Sequence, residues 1–241
     1  MIRILITTRP ENKAGKPLEH GCIKTVNFPL TRIEYTISED RIREEFQRFN
    51  PDVLVFTSIA GSSRFLQAVE PPELKRCRIF CIGDVTAIPF RNAGLNYNVP
   101  SPKTSFGLAR AIKENCGSGS RIMVARSSSG SPVLTNELSG RSYEVNEISL
   151  YDLVENATTE LGNELKNGNY FGILITSSME ARIFGKILHS LNIDTKKTGL
   201  KVFAIGDPTA SALRDMGIDT DPPEGDSDIE SLVKGISDMY C

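Results

Sequence analysis

The chain is predicted to be α/β, built as two similar flavodoxin-like doubly wound parallel-sheet domains. Two observations carry this reading. The first is a duplication: Phe56-Thr57-Ser58, then Ile82-Gly83-Asp84-Val85-Thr86-Ala87, returns as Ile175-Thr176-Ser177, then Ile205-Gly206-Asp207-Pro208-Thr209-Ala210. Thr57 and Thr176 stand 119 residues apart and Thr86 and Thr209 stand 123 apart, so a four-residue length change separates two copies of one design. A solenoid unit runs to roughly 20 to 50 residues, so a period this long makes each copy a domain. The second observation is the alternation of short apolar runs with helical patterns, the mark of parallel β/α units.

The elements follow in order. Residues 2–7, 53–57, 79–82, 122–125, 173–176 and 202–205 are short apolar runs bounded by polar residues or glycine, and read as buried strands. The stretch from Thr86 to Gly94 is a short helix stopped by glycine, and Thr209 to Gly217 repeats it with Leu213 facing inward. Proline-containing loops follow both, Val99-Pro100-Ser101-Pro102 and Asp221-Pro222-Pro223. In the last helix of each copy Leu108, Ala109 and Ile112 match Leu232, Val233 and Ile236 at core-facing spacing. Cys116-Gly117-Ser118-Gly119-Ser120 is a helix stop and turn between the copies, where a cut between domains is natural. Arg3 to Arg9 also resembles Arg121 to Arg126, and Gly21 to Leu30 resembles Gly140 to Leu150, which makes five strand-helix units per copy. Spacing leaves open which N-terminal strand pair joins which C-terminal trio.

Composition narrows the function. The chain has 241 residues, 39% hydrophobic and 24% charged, as in a soluble globular protein of two domains. No apolar run approaches the roughly 20 residues of a membrane span, and Ile2 to Ile6 reads as a strand where a signal peptide needs a longer apolar stretch. Cytoplasmic location without membrane contact is the expectation. Five cysteines without CxxC spacing and only two histidines point away from a metal site and to reduced, structural thiols. A net charge of -2 offers no basic field for nucleic acid. The chain carries no P-loop, no GxGxxG after a strand, no HExxH and no GxSxG elbow.

In an open parallel sheet, ligands sit beyond the carboxyl ends of the strands. Thr57 and Ser58, Gly83 to Thr86, Thr176 and Ser177, and Gly206 to Thr209 fall there, combining hydroxyls with first-turn N–H groups suited to carboxylate or phosphate. Taken singly, each reads better as a helix cap; four such loops on one cleft read better as a ligand site. Arg9 and Arg126 stand at equivalent strand ends and can supply positive charge, against a default of surface solvation. Tyr151, after Ile148-Ser149-Leu150, is either a cleft-facing proton donor or a half-buried strand tyrosine. Ser127 to Ser131 is either an anion cradle or a loop.

These residues, in this order, resemble the uroporphyrinogen-III synthase family across the whole chain. The resemblance rests on Thr57-Ser58 with Phe65 eight residues after the threonine, Ile-Gly-x-x-Thr-Ala at Gly83 to Ala87, Gly94, Arg126, Tyr151, and the second Thr-Ser and Ile-Gly-x-x-Thr-Ala at Thr176-Ser177 and Gly206 to Ala210. The chain departs from it at Ala60-Gly61-Ser62 and at Pro89, which removes a helix donor and puts the Thr86 loop in question. The resemblance implies a discontinuous domain, 1–33 plus 155–241, a second domain, 38–148, and linkers at 31–37 and 149–156. It implies cyclisation of hydroxymethylbilane to uroporphyrinogen III, a lyase reaction that inverts ring D and needs neither cofactor nor metal. Thr57, Ser58, Thr86, Ser177 and Thr209, with Arg9 and Arg126, would bind substrate carboxylates, and Tyr151 would assist loss of the hydroxyl. A monomer is expected, with transient contact to the preceding pathway enzyme left open. The competing class is a noncatalytic two-domain binding or sensing protein for a small anion; a phosphosugar enzyme fits less well, lacking its motifs.

Overall fold

The computed structural model describes residues 1–10, 14–139, 143–156, 159–167, 170–226 and 228–241. Its strands in chain order are β1 (Arg3–Thr7), β2 (Glu19–His20), β3 (Ile23–Asn27), β4 (Thr31–Tyr35), β5 (Val53–Phe56), β6 (Arg78–Cys81), β7 (Arg121–Ser127), β8 (Glu144–Glu155), β9 (Gly172–Ile175) and β10 (Lys201–Ala204). Gly140 to Ser142, where the second copy of the Gly21 to Leu30 pattern begins, lie outside the described residues. The chain divides into two compact units, Met1–Arg32 with Val154–Cys241 and Ile33–Leu153, and crosses between them within β4 and within β8.

The first unit has the strand order β10-β9-β1-β3-β2, parallel throughout except for the short β2, which pairs antiparallel with β3. The second has β4-β8-β7-β5-β6, and its β8, β7, β5 and β6 are parallel. Matched copy to copy, β3-β1-β9-β10 and β8-β7-β5-β6 repeat one spatial order, which in chain rank reads 2-1-3-4, flavodoxin-like, in the first unit and 4-3-1-2 in the second. The pairing of β1 with β9 decides what spacing left open: the N-terminal strands join C-terminal β9 and β10, and no third C-terminal strand is formed among the described residues. The point where the winding reverses lies between β1 and β9 in one unit and between β7 and β5 in the other, where this fold class takes its ligands.

Continuous apolar runs put a core on both faces of each sheet. In β5, Val53 and Val55 pack with Leu108, Ile112, Ile122 and Val124 on one face. Leu54 and Phe56 pack with Phe65, Phe90 and Met123 on the other, Phe56 lying 5.3 Å from Phe65 and 4.7 Å from Phe90 between ring centres. In the first unit Leu5, Leu174 and Phe203 meet Leu232, Val233 and Ile236, while Ile6, Ile173, Ile175 and Val202 meet Phe184 and Leu213. The inward positions anticipated in the last helices and at Leu213 are the buried ones.

One irregularity matters for the site. The β7–β8 register moves from Arg126 opposite Ser149 to Ser127 opposite Tyr151, so β8 carries an extra residue there. Strict alternation would send Leu150 and Tyr151 to opposite faces; with the bulge, both are buried in one core. Pro89 sits inside the Asp84–Asn92 helix, which continues past it with Ala93 N–H on the Pro89 carbonyl at 3.0 Å.

The cysteine expectation needs correcting. Cys22 and Cys241 form a disulfide, while Cys77, Cys81 and Cys116 are free and buried. Packing of the Ile229–Tyr240 helix beside β2 and β3 brings together two residues 219 positions apart, which a cysteine count cannot reveal. Burial pushes the Cys81 thiol up to about 12 and also raises Cys77 and Cys116. Alkylation at pH 8 is therefore expected to label no thiol in the folded protein, three after denaturation and five after reduction; labelling of five without reductant would show the bridge absent.

Candidate active site

In the Ile33–Leu153 unit, β5 delivers half-buried Thr57 and then Ser58, whose extended backbone caps the Ile59–Ala68 helix. Ser58 Oγ accepts the Gly61 N–H at 3.1 Å and the Tyr151 O–H at 2.8 Å. A serine oxygen has two lone pairs, and both are now engaged, so the Ser58 proton is the group left to donate outward. Tyr151 is 6% exposed: its ring belongs to the core and only its hydroxyl reaches the cap. The ring is that of a strand tyrosine in a core, and the hydroxyl donates to Ser58. A Cβ at Gly61 would stand 3.2 Å from Ser58 Oγ and 3.3 Å from the Ala125 carbonyl oxygen, so the departure at this position keeps the cap uncrowded.

The Asp84–Asn92 helix starts from Gly83, which offers no side-chain cap, and its first backbone bond comes from Ala87 N–H. Its earlier N–H groups point out at the same edge of the sheet. Thr86 is buried, and its carbonyl accepts from Ser62 Oγ at 2.8 Å, tying this loop to the neighbouring helix. Asp84 lies in the same turn and would repel an anion. A hydrogen bond from Lys103, and then its positive charge, hold the Asp84 carboxyl below the usual range. The pair is exposed, so its attraction is screened.

Arg126 is 4% exposed, and three of its five N–H groups are already used. Nε and Nη2 grip Glu147 at 2.8 and 2.7 Å, and Nη1 donates to the Ser131 carbonyl. Gly130 lets the loop fold down, since a Cβ there would come within 2.6 Å of Arg126. The loop then returns to the strand through Ser128 N–H on the Tyr151 carbonyl at 3.1 Å. Arg126 thus anchors the Ser127–Ser131 segment, and a substrate carboxylate would compete with Glu147 for it.

The other unit repeats the scheme with different chemistry. Ser177 caps the Ser178–Leu191 helix, accepting Glu180 N–H at 3.2 Å. The Asp207–Asp215 helix starts from Gly206, again with no side-chain cap, and Thr209 is buried in its first turn. Arg9 is half-buried after β1; after the Ser231 hydrogen bonds, its charge helps hold the Asp228 carboxyl low. Unlike its counterpart position Gly61, Glu180 places a carboxylate in the first turn. It is 1% exposed and accepts from Thr8, Thr176 and Thr31. Sequence reasoning overlooks Glu180 and Lys103. Ser177-x-x-Glu180 is a capping-box spacing, which is the signal that could have found the first. No spacing pairs Lys103 with Asp84.

Within each unit, a serine-capped helix and a glycine-led helix offer hydroxyl and amide donors at the carboxyl edge of the sheet. That defines a doubly wound α/β protein with helix N-termini at the edge where its fold class takes ligands. A family model described as uroporphyrinogen-III synthase HemD matches residues 14–234, and the chain belongs to that family. Among solved structures, uroporphyrinogen-III synthetase from Helicobacter pylori is similar with a TM-score of 0.68 and 15% identity over 99% of this chain and 100% of that one. Uroporphyrinogen III synthase from Thermus thermophilus is similar with a TM-score of 0.58 and 17% identity, covering 98% of each chain. At these identities the likeness is one of fold. No helix among the described residues is long and apolar enough to cross a membrane.

Proposed function

We propose that this chain is a uroporphyrinogen-III synthase that cyclises linear hydroxymethylbilane to uroporphyrinogen III within tetrapyrrole biosynthesis. The substrate's terminal hydroxyl takes a proton and leaves as water, its C–O bond electrons departing with it, and the pyrrole nitrogen stabilises the electrophile left behind. Ring D attacks through its substituted carbon, the resulting spiro intermediate opens and recombines, and proton loss restores the aromatic ring. The substrate can close unaided to the wrong isomer, so holding its shape is much of the task. We read the reaction as that of a hydro-lyase and the protein as a cytoplasmic monomer.

The observation that carries this reading is Tyr151 O–H on Ser58 Oγ, at the edge where the fold binds ligands. The pair can deliver a proton to the departing hydroxyl: Ser58 gives its own and is backed by Tyr151. Thr57, Thr86, Ser177 and Thr209, with the first-turn amides beside them, are assigned to substrate carboxylates, and Arg9 adds charge. The deciding experiment incubates the purified protein with freshly generated hydroxymethylbilane and separates the isomers. Type III product is expected. Type I alone refutes the reading, and a stably held, unaltered ligand would mark a binding protein instead.

The Thr86→Val and Thr209→Val variants keep the buried shape and lose the hydroxyl. Each is expected to raise KM by about tenfold, the scale of one hydrogen bond to a charged group. A change at an exposed arginine such as Arg43 should move KM less than about twofold at physiological salt. Equal effects would mean that diffuse charge, and not these loops, retains the substrate.

A further inference from the structure

Glu180 is a buried carboxylate to which the reaction above assigns no part. It lies at the switch point of its sheet, where the ends of β1 and β9 diverge. Oε2 accepts from Thr8 Oγ1 at 2.8 Å, Thr176 Oγ1 at 2.7 Å and Thr176 N–H at 3.0 Å; Oε1 accepts from Thr31 Oγ1 at 3.4 Å. In an ordinary capping box, the acidic residue reaches the N–H of the capping serine itself. Here it reaches one residue further back, to Thr176, and spans the crevice to Thr8. Residues 172 and 149 positions away in sequence are gathered on one group.

A carboxylate has lone pairs and no proton, so each threonine that meets it must give up its only hydroxyl proton. Thr8, Thr31 and Thr176 therefore have none left for a ligand. Ser177 is the opposite case: its oxygen accepts Glu180 N–H, and its hydroxyl donates to no partner among the described residues. Glu180 thereby sorts the hydroxyls of this loop into inward donors and one outward donor.

We propose that Glu180 is a positioning residue for the Thr176–Ser177 loop, holding it so that Ser177 and the adjacent amides face a substrate carboxylate. The kinetic side of this rests on the synthase reading. At the equivalent position in the other unit, Gly61, even a Cβ would crowd Ser58 Oγ at 3.2 Å, and the cap there is completed by Tyr151. The duplicated loops have thus divided their work, one backed by a phenol and the other by a carboxylate.

The test compares Glu180→Gln with Glu180→Met. In the glutamine variant the amide oxygen can take the three Oε2 donors, while the amide nitrogen meets Thr31, whose hydroxyl turns to accept. KM should stay within about threefold of the parent. Methionine fills the space and accepts nothing, so KM should rise about tenfold with kcat within about threefold, the pattern for lost uniform binding. Hydrogen exchange of a peptide covering residues 174–182, without substrate, should speed up in Glu180→Met and not in Glu180→Gln. Parent KM and parent exchange in Glu180→Met overturn the proposal, as does equal impairment of both variants. If Glu180→Met does not fold, Glu180→Asp keeps the charge and withdraws it by one methylene. It should raise KM at least about threefold, and a parent value there also refutes the proposal. Should the parent make no type III isomer, the synthase reading falls, while exchange still decides the role of Glu180.

Discussion

Tyr151→Phe is expected to lower turnover of hydroxymethylbilane by about 10² to 10⁴, the usual contribution of one positioned proton donor, and to leave the protein folded. The ring is packed among core residues of the second unit, and phenylalanine preserves that packing. Only the 2.8 Å bond to Ser58 Oγ is lost, at a stability cost of about 1 kcal/mol. If the proton reaches the substrate through Ser58, then Ser58→Ala should cost a similar factor, and the double variant little more, because the two residues act as one unit. Stopped assays that separate the isomers, paired with thermal melts, check both points. Parent turnover in Tyr151→Phe would end the proton-donor assignment, while strict additivity would show that the two residues act independently.

Arg126→Ala is expected to destabilise the protein by about 1 to 3 kcal/mol, because it removes a buried side chain that makes three hydrogen bonds, while Glu147, itself exposed, regains water. For a unit of this size that is a fall in melting temperature of roughly 3 to 10 °C. The cost follows from geometry: two bonds to one carboxylate, one to the Ser131 carbonyl, and a loop folded over the guanidinium at Gly130. The measurement is a denaturant or thermal melt of the variant beside Glu147→Gln, which should also destabilise. A variant that melts like the parent but loses substrate affinity would return Arg126 to the direct carboxylate-binding role that its place at a strand end first suggested.

Much of the fold could be read from local pattern. The apolar runs of β5, β7, β9 and β10, the glycine stops at Gly94 and Gly217, and the matching faces of the last helices are repeated signals, and each depends on residues near in sequence. The serine caps were legible for the same reason, since a cap bonds to a backbone three residues on. Tyr151 was legible as to place and ambiguous as to role. A single extra residue in β8 turns it into the core of its unit, and no period marks a bulge in advance. Arg126 and Arg9 look equivalent by position, yet Glu147 engages one of them across a neighbouring strand.

Order along the chain settles that two copies of one α/β design exist, where their strands end, and that hydroxyls and amides cluster at those ends. These follow from periodicity and from backbone groups that need partners close by. The packed structure alone decides that β1 lies against β9, that Cys22 meets Cys241, and that Glu180 collects Thr8, Thr31 and Thr176. Apart from Thr176, which lies four residues from Glu180, each of these joins residues separated by well over a hundred positions. Such encounters are selected by which sheet edges and helix faces bury together, a property of the assembled unit that no local run of residues encodes.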